Sequence, residues 1–159
     1  MIAALAVAGL AAALTVAPLA PAPKPCTDKV ATMLHDAGFT GNKNRVAWAV
    51  TSRESNHRNL DESSPYYSGA LGMFQVQTSA HSGKSWWSRA AMLDPATQAR
   101  IVYRHMTNRG RDWSAWGLNS TGTAMDVSQY GGWSASQQHQ FIWVGYQRGL
   151  SLYPERCAR

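Results

Sequence analysis

The apolar positions of this chain fall into two regimes. From Ile2 to Ala20 almost every residue is Ala, Leu, Val or Gly, interrupted only by Thr15 and Pro18 and carrying no charge. A small soluble domain has no surface that could accept such a run, so residues 1–22 read as an export signal or a membrane anchor. Ala20-Pro21-Ala22 supplies the small residues of a cleavage site, but Pro23 would follow the cut, so cleavage, retention as an anchor and a misplaced start codon all stay open. Residues 23–25 close a Pro-rich linker, and a folded domain is expected over 26–159.

Beyond Cys26 the apolar spacing turns helical. Thr27 is placed to cap a helix running to about Ala37, with Val30, Met33, Leu34 and Ala37 on one face and Gly38 as its stop. A second helix is expected from Asn44 to about Ser55, packing Val46, Ala47, Ala49 and Val50 inward. Residues 56–70 have no periodicity and read as loop, and the Gly-punctuated stretch Ala70 to Val76 reads as a short strand or turn. Asp94-Pro95 marks another helix start, an N-cap followed by proline in the first turn; that helix carries Ile101, Val102 and Met106 and ends near Gly110. Residues 110–133 are Gly-, Trp- and Ser-rich and irregular. Ser134 and Gln137 make a capping-box pattern for a last helix bearing Phe141, Ile142, Val144 and Tyr146. The expected class is mainly α, with a small irregular or β segment.

Length and charge narrow the picture. A chain of 159 residues holds one domain, and its net charge of +6 owes nothing to the apolar leader. A basic domain favours an anionic polymer: cell wall if the chain is exported, nucleic acid if it is cytosolic. Cys26 and Cys157 bracket the domain, which in an exported chain suggests one disulfide joining its ends, and in a cytosolic one two free thiols. The five histidines, at 35, 57, 81, 105 and 139, show no paired metal spacing, and no cofactor is expected. Ser82-Gly83-Lys84-Ser85 ends like a phosphate-binding loop, but Thr78 stands where its first glycine must be. Serine-hydrolase and Cys-His protease motifs are absent.

Of the nine acidic residues three are glutamates, and Glu54 is the misplaced one. Val46, Val50 and Glu54 lie at i, i+4 and i+8, so a carboxylate ends the stripe that should face the core. Partial burial there would disfavour the charged form, as a general acid requires. A structural ion pair with Arg53, Arg58 or Arg45 explains the same position equally well. What tips the balance is the polar loop that follows and the segment Gly69-Ala70-Leu71-Gly72-Met73-Phe74-Gln75-Val76, whose glycines allow close approach of a ligand and whose Gln75 offers an amide in an apolar run.

Glu54-Ser55, a loop, then Ser68 through Val76 resembles the signature of soluble lytic transglycosylases and goose-type lysozymes. Ala37 to Gly41, Val46 to Val50 and Asp112-Trp113-Ser114-Ala115-Trp116 are similar to flanking segments of actinobacterial and phage members, so the likeness covers roughly residues 28–122. Asn56 departs from the glycine common after the family's Glu-Ser pair. Gly117-Leu118-Asn119-Ser120-Thr121-Gly122 departs from its Ala-Tyr-Asn-Ala-Gly segment.

The resemblance implies a lysozyme-like domain that cuts the MurNAc-GlcNAc β-1,4 bonds of peptidoglycan, with Glu54 as acid and base. It implies that Ser68 bonds the Glu54 carboxylate and that Gly72, Met73, Phe74 and Gln75 line a glycan cleft. Tyr67, with Tyr66 and Tyr103, is a candidate for the family's sugar-contacting tyrosine. Among the indoles outside the helical stripes (Trp86, Trp87, Trp113, Trp116 and Trp133), Trp113 and Trp116 are candidates to stack on sugars, while any one of them is more ordinarily core; Trp48 and Trp143 are assigned to the core. A hydrolase needs a second carboxylate, for which Asp61 and Glu62 are the nearest. A lytic transglycosylase does not, because the sugar's own C6 hydroxyl attacks and the same glutamate takes its proton, leaving a 1,6-anhydro end. The expectation is the single-acid reaction, in a secreted or wall-associated monomer whose partners are peptidoglycan strands and anionic wall polymers rather than nucleic acid. A hydrolysing lysozyme and a non-catalytic glycan-binding module are the alternatives.

Overall fold

A computed structural model describes residues 25–65, 67–126 and 134–158. The leader, most of the Pro-rich linker, Tyr66 and Trp133 lie outside these residues. Over the described residues the protein is mainly helical, with a small two-stranded antiparallel sheet. Among the described residues no helix is long and apolar enough to cross a membrane.

Helix α1 (Lys29–Asp36) is capped by Asp28, whose carboxylate accepts from the Ala31 amide at 2.8 Å. The expected cap, Thr27, instead accepts from Arg156 Nη2 at 2.6 Å. A charged cap adds attraction to the helix dipole, which a hydroxyl cannot match. Helix α2 (Asn42–Ser55) begins two residues earlier than its periodicity predicts. Asn44 is therefore no cap but a buried bracket. Its amide donates to the carbonyls of Ala31 and Phe39, and its oxygen accepts from Tyr153 Oη at 3.0 Å.

α2 is the axis of the molecule, with Ala47, Ala49 and Val50 fully buried. On one side it packs against α1; on the other it meets α7 (Gly145–Leu152), which follows without a break from α6 (Ala135–Gln138) through the wider turn His139–Val144. Gly149 makes that contact possible, since a Cβ there would sit 2.9 Å from the Ala49 backbone. The capping box of Ser134 and Gln137 is formed. Of the apolar residues assigned to this last helix, Ile142 and Tyr146 are buried, but Phe141 and Val144 face outward. The π turn between them holds one more residue than an α turn and rotates the apolar face. Trp143, assigned to the core, is only partly buried at its margin.

Strands β1 (Ala70–Leu71) and β2 (Val76–Gln77) pair Ala70 with Gln77 and Leu71 with Val76. Short helices α3 (Thr78–His81) and α4 (Arg89–Leu93) follow. α5 (Pro95–Ile101) starts at the Asp94 cap as its sequence predicts, then widens into a π turn over Val102–Met106 and closes through Thr107 and Gly110. Cys26 and Cys157 are joined in a disulfide, with their Cα atoms 4.8 Å apart.

Candidate active site

Glu54 ends the last turn of α2 with its side chain 12 % exposed, beside Arg53 at 1 %. Arg53 Nε donates to Glu54 Oε1 at 3.0 Å and Nη2 bonds the same oxygen. Arg53 Nη1 donates to the Ile142 carbonyl at 3.1 Å, and the guanidinium lies 5.7 Å from the centre of the Phe141 ring. Of the three bases that the sequence left open, Arg53 is the one that pairs. Arg45 meets Glu155 at 3.2 Å, and Arg58 Nε donates to the Ser55 carbonyl. Arg53 thus fixes Oε1, and among the described residues Oε2 has no protein partner.

Three elements hold the segment after β1. Ser55 Oγ donates to the Met73 carbonyl at 2.9 Å, which explains why a serine follows the glutamate: it ties the hairpin to the end of α2. Gln98 of α5 is buried and bridges the hairpin, donating from Nε2 to Leu71 O at 2.8 Å and accepting the Phe74 amide at Oε1. Trp116 Nε1 donates to the Phe74 carbonyl at 3.0 Å. Gly72, at φ 74°, is what lets Gln98 come so near: a Cβ would lie 2.3 Å from Nε2 and 2.4 Å from Met92 O. Gln75 also has positive φ, 52°, and its side chain closes back onto Gly72 O at 2.8 Å.

The outcome is a cleft of about 290 Å³ whose walls include Glu54, Ser68, Gln75, Gln77, His81 and Trp116. The structure therefore brings Glu54, Ser68, Gln75 and Trp116 together. Ser68 does not bond the carboxylate among the described residues; its carbonyl accepts from Gln77 Nε2 at 3.4 Å. Gly72, Met73 and Phe74 are buried behind the cleft, and the Met73 and Phe74 carbonyls are already taken by Ser55 and Trp116, so these residues shape the wall rather than face a ligand. Trp113 is 1 % exposed and packs against Phe39 and Trp116. It belongs to the core, because stacking on a sugar would require that core to open. Tyr67 is exposed and lies outside the cleft walls, and Tyr103 stands edge-on to Phe39.

Neither candidate second acid lines the cleft. Asp61 accepts from the amide and hydroxyl of Ser63, and Glu62 is ion-paired with Arg89 at 2.6 Å. These hydrogen bonds hold both carboxyl groups below the ordinary carboxylate range. Among the described residues, no group of three or more His, Cys, Asp and Glu side chains could hold a metal ion.

No known protein family, curated protein or solved structure matches the chain.

Sequence reasoning missed Gln77, His81, Phe141 and Gln98. Gln98 alone left a signal, a polar side chain on the buried face of α5 beside Ala99 and Val102. His81 reaches the cleft only because α3 folds directly off β2, and burial with the nearby Lys84 cation lowers its pKa below 6.5.

Proposed function

We propose that the protein cleaves the MurNAc-GlcNAc β-1,4 bonds of peptidoglycan by lytic transglycosylation, with Glu54 as its acid and base. The observation that carries this reading is that, among the described residues, Glu54 is the sole carboxylate on the walls of the cleft. With Oε1 held by Arg53, Oε2 is the atom that gives a proton to the leaving glycosidic oxygen and then takes one from the C6 hydroxyl as it attacks. With Asp61 and Glu62 occupied elsewhere, the chemistry that needs one carboxylate fits better than the chemistry that needs two. The Cys26–Cys157 disulfide and the basic charge suit an exported protein acting on an anionic wall.

One observation favours a second reading. The Arg53–Glu54 pair is what a purely structural glutamate would form, and the fold would then serve as a non-catalytic glycan-binding module. Digestion of purified peptidoglycan by the wild type beside Glu54→Gln separates the two, with products read by mass spectrometry. The expected outcome is anhydro-ended fragments that fall at least ~100-fold in the variant, the contribution usual for a positioned acid. Reducing ends would make the enzyme a hydrolase, and wall binding without fragments from either protein would establish the binding module.

A further inference from the structure

A second pocket of about 370 Å³, lined by Arg53, adjoins this cleft at Phe141. Its walls include Arg53, Asn56, Gln140, Phe141, Arg148 and Leu152, with no acidic side chain among its lining residues. The Phe141 ring belongs to both cavities. Their charge balance differs. Arg53 is neutralised by Glu54, whereas Arg148, exposed on α7, makes no ion pair among the described residues. Among the described residues the second pocket therefore presents one uncompensated guanidinium, two side-chain amides, and two apolar surfaces at its rim, Phe141 (42 % exposed) and Leu152 (60 %).

That combination suits a short peptide ending in a carboxylate. The guanidinium takes the carboxylate through paired hydrogen bonds, the amides meet main-chain groups, and the apolar rim covers small side chains. A glycan strand lying across Glu54 carries just such a branch on every second sugar, and the branch must leave the strand axis within about one sugar of the reacting bond. We infer that this second pocket receives the peptide branch of the strand being cut, its carboxylate on Arg148. This rests on the proposed peptidoglycan substrate and assigns the site a preference for branched over bare strands.

The test uses the full chain carrying Glu54→Gln, so that ligands are not consumed, and titrates it with a muramyl tetrapeptide and, separately, with chitotetraose, which has neither branch nor charge. Adding Arg148→Glu is expected to weaken the muramyl peptide by about tenfold or more, the worth of one charge-assisted hydrogen bond, and to leave chitotetraose unchanged. Arg148→Lys should restore part of the loss. Equal weakening of both ligands, no change in either, or no binding of the muramyl peptide at all would overturn the inference. Because binding is read without turnover, selective loss of the muramyl peptide in a protein that cuts no wall would uphold the pocket and sink the catalytic reading. Cleavage of branched and bare strands alike, with no effect of Arg148, would do the reverse.

Discussion

His57 shows how far a single side chain can be read from its bonds. It follows α2 at φ 61°, with Nδ1 3.0 Å from Thr51 Oγ1 and its ring 4.3 Å from that of Trp48. The Thr51 hydroxyl has one proton within reach of both the Trp48 carbonyl and His57, and both bonds form together only in the tautomer that donates from Nδ1. That leaves Nε2 as the unprotonated nitrogen, buried and without a hydrogen-bond partner among the described residues. Protonating it would bury an unpaired N–H. Burial accordingly lowers the His57 pKa below 6.5, and the nearby Asp28 only partly opposes the shift. The unfolded chain binds this proton more readily than the folded one. The stability is therefore whole above pH 6.5 and declines as pH falls through the depressed folded value. His81 adds to the trend with the same sign. Melting temperatures measured between pH 7 and pH 5 are expected to fall, and His57→Asn, which tolerates positive φ and keeps a donor for Thr51, should flatten the slope. An unchanged slope in that variant would assign the pH dependence to other groups.

At the scale of elements, the candidate site depends on a hairpin too short to stand alone. Two residues per strand cannot hold a register, so Ser55, Gln98 and Trp116 do it from outside. Gln98→Leu keeps much of the side chain's bulk but leaves the Phe74 amide buried and unpaired, and takes the side-chain donor from the Leu71 carbonyl. It is expected to cost about 3 kcal/mol in urea unfolding and to lower the proposed wall cleavage as Gln75 loses its position. Full activity with that loss of stability would show that the hairpin does not set the cleft.

The same elements show what could be read from sequence. Two helix starts were legible because Asp94-Pro95 and the Ser134–Gln137 box are local chemistry. Glu54 was legible because a carboxylate on an apolar stripe is a local anomaly. Gln98 and His81 act across the fold, and no spacing of neighbours encodes that. Trp113 and Trp116 come from one irregular segment in which no period says which indole turns inward; both do, and only Trp116 reaches the cleft. Phe141 escaped because the π turn broke the period that had placed it in the core.

At the scale of the whole molecule, the two ends of the domain close on each other through residues that do not line the cleft. The Cys26–Cys157 disulfide spans 131 residues, and beside it Arg156 bonds Thr27, Tyr153 bonds Asn44, and the Tyr153 ring meets Trp48. A crosslink closing so long a loop removes chain entropy mainly from the unfolded state, worth up to ~4–5 kcal/mol. The noncovalent contacts act on the folded state and persist when the sulfurs are separated. The two contributions can therefore be told apart. Cys26→Ser with Cys157→Ser is expected to lower unfolding free energy by about 3–4 kcal/mol, while the proposed wall cleavage at room temperature stays near wild type because none of these residues lines the Glu54 cleft. A loss below ~1 kcal/mol would mean that the clasp of Asn44, Tyr153 and Arg156 already confines the ends. Loss of cleavage in a variant that remains folded would instead tie the clasp to the cleft through α2, which carries Asn44 near its start and Glu54 near its end.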